Sequence, residues 1–134
     1  MEKEFTLKKY DSIDEILYAS FAIDYPDMDF EEFKKSDFGG LDQDEKEVKF
    51  TYEQHKEGIE FAGLWGWISE DKVIHYWVGK VIPMEELIHF LAHEIGHRTG
   101  IPIKDNYKEE MRAEGYGHAA TLAYKFATQI SKSM

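Results

Sequence analysis

Cysteine is absent from the 134 residues, so no disulfide framework can form. Any metal site must then be built from histidine and carboxylate, because thiolate ligands are excluded. No apolar run reaches the roughly 18 residues that a membrane-spanning helix needs. The N-terminus, Met1-Glu2-Lys3-Glu4-Phe5, is charged and lacks the apolar core of a signal peptide. These absences lead us to expect a cytoplasmic protein without membrane contact. Positive charge is also scarce, with 16 Lys and Arg against 27 Asp and Glu, a net charge of -11. The deficit is uneven: residues 1–60 hold 18 acids against 8 Lys/Arg, whereas residues 61–134 hold 9 against 8. An acidic half repels phosphate backbones, so nucleic acid is not expected as a partner. It serves solubility first, and it would also attract a basic partner protein.

What the chain does have is apolar and aromatic content, at 43% and 15%, which argues for a folded core rather than disorder. Its length suits one domain spanning 1–134. There is no internal repeat and no low-complexity tract.

The order of elements predicts an α+β fold. Ser12 and Glu15 fit a capping box, and Ile13, Ile16, Leu17 and Phe21 carry helical spacing to about Ile23. Asp29 suits the cap of a second short helix through Phe30 and Phe33. Residues Leu41 to Lys46 read as an acidic loop. The period then changes to two: Val48, Phe50 and Tyr52 alternate with Lys49, Thr51 and Glu53, predicting a strand over 47–54. A turn at 55–58, a strand over 59–68 and a strand over 73–81 complete an expected three-stranded antiparallel meander. Its tryptophans, Trp65, Trp67 and Trp77, suggest helices on both faces or an exposed patch. Asp105 or Asn106 would cap a long final helix over roughly 106–131. Met111, Ala119, Leu122, Ala123, Phe126 and Ile130 mark its expected core side, and Gly115 and Gly117 are points where it could divide.

Between sheet and final helix lies the stretch that carries chemistry, Pro83 to Gly100. Pro83 is tolerated at a helix start, and Glu85 and Glu86 suit the positive end of the helix dipole. Gly100 supplies a left-handed stop, with Pro102 preventing resumption. Leu87, Ile88, Phe90, Leu91 and Ile95 form an apolar face, so the helix is expected to pack on a core. Within it stands His93-Glu94-x-x-His97. Four residues make about one turn, so both imidazoles leave the same face and can grip one ion. Glu94 lies about 100° round from His93, close enough to take a proton from a water on the metal. His89 sits one turn before His93. Three histidines on one straight helix span about 12 Å, too far for a single ion, so His89 is expected to support the site or the core.

A catalytic zinc usually takes three protein ligands. The metzincin spacing would put the third at position 103, which is Ile103 and cannot ligate. Downstream, Glu109, Glu110, Glu114 and His118 are all candidates, with Glu109 nearest the apolar arc of the helical wheel. Glu110, Ala113, Tyr116 and Gly117, together with the His93/Glu94/His97 motif, resemble the paired motifs of the small gluzincin metallopeptidases, including the phage-repressor-cleaving (ImmA/IrrE) type. The resemblance covers roughly residues 59–125 and is specific at the two helices. It implies that Glu110 is the third zinc ligand. It also implies that Glu114, where the family has Asp or Asn, fixes the ring of a ligand histidine. It further implies a zinc-dependent peptidase in which Glu94 activates water, acting on a peptide or protein laid against a sheet edge. His75, His118, Tyr116 and Arg112 are candidate donors to the oxyanion. The alternative is a catalytically silent, metal-stabilised module of the same type that binds a partner through its acidic half.

Overall fold

The computed structural model describes residues 4–36, 38–41, 44–100 and 103–133. Pro102, the expected barrier to helix resumption, lies outside them. In chain order the elements are β1 (Thr6–Lys9), α1 (Ile13–Asp24), α2 (Phe30–Lys34), β2 (Phe38–Leu41) and β3 (Glu47–Phe50). They continue with α3 (Tyr52–Ala62), β4 (Leu64–Ile68), β5 (Val73–Val78), α4 (Met84–Gly96) and α5 (Asn106–Ser133). The fold is α+β, as expected, but its sheet is mixed rather than purely antiparallel. The three strands run in the order β1-β5-β4. β4 and β5 form a hairpin, with the Ser69 and Val73 backbones paired across the turn and those of Gly63 and Gly79 further out. β1 runs parallel to β5: Thr6 N–H donates to Lys72 O and Tyr10 N–H to Tyr76 O, so both chains advance together.

The predicted strand over 47–54 ends at Phe50, and β3 pairs antiparallel with β2 in a separate two-stranded sheet. The expected turn at 55–58 and the start of the strand at 59 are instead α3. The deciding chemistry is a capping box. Thr51 Oγ1 accepts from the Gln54 N–H, and the Gln54 side chain accepts from the Thr51 N–H. Gly63, at φ 76°, closes the helix in the left-handed region that side chains avoid. Two other cap expectations hold: Ser12 accepts from Glu15 N–H, and Asp29 from Glu32 N–H.

The chain divides into two compact units. One comprises Lys9–Trp65 and Tyr76–Lys80. Its core holds Ile13, Leu17, Phe33, Tyr52 and Ile59, with Phe21, Phe30, Trp65 and Trp77 packed around them. Stacked and edge-on ring pairs, such as Phe21–Phe33 at 4.1 Å and Phe30–Tyr52 at 5.7 Å, add to the burial. The Tyr52 hydroxyl donates to Asp14, which lowers the Asp14 pKa; burial, and then this bond, raises that of Tyr52. Two of the three tryptophans are thus spent on a helical core.

The other unit comprises Met1–Lys8, Gly66–His75 and Val81–Met134, and it holds α4 and α5. Pro83 stands at the cap of α4, but the helix ends at Gly96 with His97 as its cap, short of the expected stop, and Gly100, at φ 82°, lies beyond that end. Asp105 caps α5, accepting from Lys108 N–H, and the helix runs unbroken through Gly115 and Gly117. Its inward face is the reverse of the expected one: Ala113 and Gly117 are buried, while Met111, Leu122, Phe126 and Ile130 are exposed. Small residues face α4 because the helices approach closely. A Cβ on Gly96 would lie 3.0 Å from Ala113 Cα, and one on Gly117 3.0 Å from His89 Nε2. Among the described residues, no helix is long and apolar enough to cross a membrane.

Candidate metal centre

α4 and α5 pack antiparallel, since contacting residues rise in number along one helix as they fall along the other. That arrangement sets the last turn of α4, carrying His93, and the capping residue His97 against the first turns of α5, carrying Glu109, Glu110 and Glu114. The two imidazoles present Nε2 to a common point, 3.2 Å apart. Glu110 completes the triangle, with Oε1 2.8 Å from His93 Nε2 and Oε2 3.2 Å from His97 Nε2. His93 and His97 are mostly shielded, at 16% and 19% exposure, while Glu110 is 57% exposed and forms the open side.

The opposite nitrogens are also engaged. His93 Nδ1 lies 2.9 Å from Glu114 Oε2, and His97 Nδ1 lies 3.0 Å from Glu109 Oε1. Ionised carboxylates only accept, so each Nδ1 carries the hydrogen. In the neutral rings the Nε2 atoms are then bare lone pairs, aimed at each other and at the Glu110 carboxylate. Three acceptors converging at about hydrogen-bond distance repel one another unless a proton or a metal cation lies between them. Two ligand atoms bound tetrahedrally to one ion at 2.0–2.1 Å would stand about 3.3–3.4 Å apart, close to the edges of this triangle. The donor set could therefore hold a metal ion.

Among the described residues, two groups of three could hold a metal ion: His93, His97 and Glu110, and also His89, His93 and Glu114. In the second group Glu114 Oε1 lies 2.6 Å from His89 Nε2. That is a charge-assisted hydrogen-bond length, shorter than the edge of a ligand pair.

A cleft of about 340 Å³ opens beside the triangle, lined by Trp67, Ile68, His93, Glu94, His97, Arg98, Glu109 and Glu110. Burial pushes the Glu94 carboxyl up to about 7; the Glu110 charge also raises it, and His93 and Arg98 pull the other way. Arg98 donates from Nε to Ser69 O at 3.3 Å and from a terminal nitrogen to Ile68 O at 3.5 Å. It thereby ties the end of α4 to the β4–β5 turn.

The structure thus brings together His93, Glu94, His97, Glu110 and Glu114. Glu109, weighed as a ligand from sequence, instead backs His97. His118 is 71% exposed and lies 3.4 Å from Glu114 Oε1, away from the triangle. None of the expected oxyanion donors lines the cleft: His75 stacks on Trp67 at 3.9 Å and contacts Ser69 Oγ at 3.1 Å. Burial also holds the His75 pKa below its ordinary value, with the Lys8 charge adding to the effect. Sequence reasoning passed over Trp67 and Arg98 as part of the site. Arg98 directly follows His97, but no sequence pattern announced that it would turn towards the cleft. Comparison with known proteins finds no match to any family model, curated protein or solved structure.

Proposed function

We propose that the chain is a zinc-dependent metallopeptidase, with His93, His97 and Glu110 as the ligands and Glu94 as the general base. The observation that carries this reading is the pair of backed imidazoles. With Glu114 and Glu109 accepting from both Nδ1 atoms, His93 and His97 are held in the tautomer that ligates through Nε2. A His₂Glu set without thiolate matches zinc in a hydrolytic role. When bound, zinc would supply Lewis acidity, activating water and polarising a substrate carbonyl.

The remaining work falls to side chains of the chain itself. Glu94 lines the cleft, buried enough to titrate near neutrality, which suits a group that takes a proton from attacking water and returns it to a leaving amine nitrogen. Peptide as the substrate class is supported by β4, an edge of the three-stranded sheet whose Trp67 and Ile68 line the same cleft. An edge strand offers backbone donors and acceptors to an extended peptide, and the indole and isoleucine offer apolar surface to its side chains. The acidic N-terminal half favours a basic substrate or partner.

The test is hydrolysis of a basic peptide library by zinc-loaded protein alongside Glu94→Gln. The proposal expects the variant to keep its zinc and lose at least about a hundredfold in rate, the scale on which general-base catalysis contributes. Cleavage unchanged by Glu94→Gln would overturn the mechanism. Zinc binding without hydrolysis of any peptide would favour the non-catalytic binding module.

A further inference from the structure

His89 stands outside the triangle, yet α5 builds a seat for its ring. Gly117 leaves the space: a Cβ there would fall 3.0 Å from His89 Nε2 and 3.2 Å from Cδ2 and Cε1. Glu114 Oε1 receives Nε2 at 2.6 Å. Thr121 Oγ1 faces Nδ1 at 3.4 Å and Gly117 O at 2.9 Å; with Nε2 donating to Glu114, Nδ1 of the neutral ring accepts, so the single Thr121 hydroxyl hydrogen serves either the ring or the carbonyl. His118 meets the ring edge-on, with centroids 5.1 Å apart. Meanwhile the second oxygen of Glu114 holds His93 Nδ1.

A continuous chain therefore runs Thr121–His89–Glu114–His93, ending at the Nε2 that faces Glu110. We propose that His89 is a positioning residue for metal binding: by anchoring one oxygen of Glu114, it fixes the other on His93 and so fixes the direction of the His93 lone pair. Without that anchor Glu114 is free to swing to solvent or to His118, and His93 loses its preferred tautomer. This rests on the assignment of His93, His97 and Glu110 as the ligand set.

The test measures zinc affinity by competition against a chelating dye, in the full chain, for wild type, His89→Phe, His89→Gln, Thr121→Val and His97→Ala. Phenylalanine fills the same seat but cannot donate, whereas glutamine retains a donor. The expected result is a single tight equivalent in wild type, weakened about tenfold in His89→Phe, restored towards wild type in His89→Gln and weakened less in Thr121→Val. Thermal unfolding of the metal-free proteins guards against misfolding. If His89→Phe does not fold, the comparison of Thr121→Val with wild type carries the test. Equal affinity in His89→Phe and wild type would overturn the inference, as would an equal loss in both His89 variants. A second equivalent lost from both His89 variants would overturn it too, because His89 would then be a ligand. Wild-type affinity in His97→Ala would instead defeat the ligand set itself.

Discussion

In the unit formed by Lys9–Trp65 and Tyr76–Lys80, five buried apolar side chains and a surround of aromatic rings fill the interior. Along the seam between α4 and α5, the facing side chains are histidines and glutamates, and the long apolar residues of α5 point to solvent. The first region is held by removing apolar surface from water, which needs no ligand. The second is held by close backbone approach and by a cluster of histidines and carboxylates in mutual contact. The contrast teaches that one short chain can divide the work: one region folds by burial, while the other gathers histidines and carboxylates that could hold a metal ion.

If that division is right, removing metal should act on one region only. Zinc at a thousandfold excess over its dissociation constant stabilises a folded site by about 4 kcal/mol. Hydrogen exchange with and without chelator should therefore show protection falling along α4 and the first turns of α5, and unchanged in α1 and α3. Equal loss in both regions would break the comparison.

The complementary change is Leu17→Ala, in the apolar core, where the side chain is 2% exposed. Truncating a buried leucine costs about 2–5 kcal/mol. The loss, read by denaturant unfolding of that unit, should be the same with and without zinc.

Next comes Glu94→Gln in the metal-free protein. Glu94 titrates near 7 instead of 4.5, so its neutral form is the one the fold prefers. Its burial carries no penalty below the ordinary value, and the cost grows as pH rises through the window from 4.5 to about 7. Above that window the cost reaches up to about 3 kcal/mol, and glutamine removes it. The stability difference between variant and wild type should therefore be larger at pH 8 than at pH 5. A difference that does not change with pH would contradict the buried carboxyl.

The smallest effect is expected at Leu122, 52% exposed on the outer face of α5. Leu122→Gln should change stability by no more than about 0.5 kcal/mol. A large loss would return Leu122 to the core that its sequence pattern suggested.

That last case shows where the sequence was legible. Local signals were read correctly when the chemistry was local: Ser12 and Asp29 as caps, Pro83 as the start of α4, and His93 and His97 on one face, whereas the helix stops at Gly96, short of Gly100. They were misread where two signals overlapped. The alternation of Val48, Phe50 and Tyr52 ran past the strand and hid the Thr51–Gln54 capping box that begins α3. β1, which turns the expected antiparallel sheet into a mixed one, is a four-residue strand with all its residues exposed, so no buried face marked it. The α5 error has a deeper cause. Helical-wheel reasoning assumes that the apolar stripe faces inward, which placed Glu110 and Glu114 at a polar edge. A seam built on Gly96, Ala113 and Gly117 instead brings the backbones close and turns the carboxylates towards α4. Arg98 and Trp67 reach the cleft through contacts that no sequence spacing encodes.

The most direct test is the zinc stoichiometry of protein purified without a metal-leaching tag, set beside His97→Ala and Glu110→Ala. One tight equivalent is expected in wild type, and its loss in both variants. Full zinc occupancy in His97→Ala would contradict the ligand set.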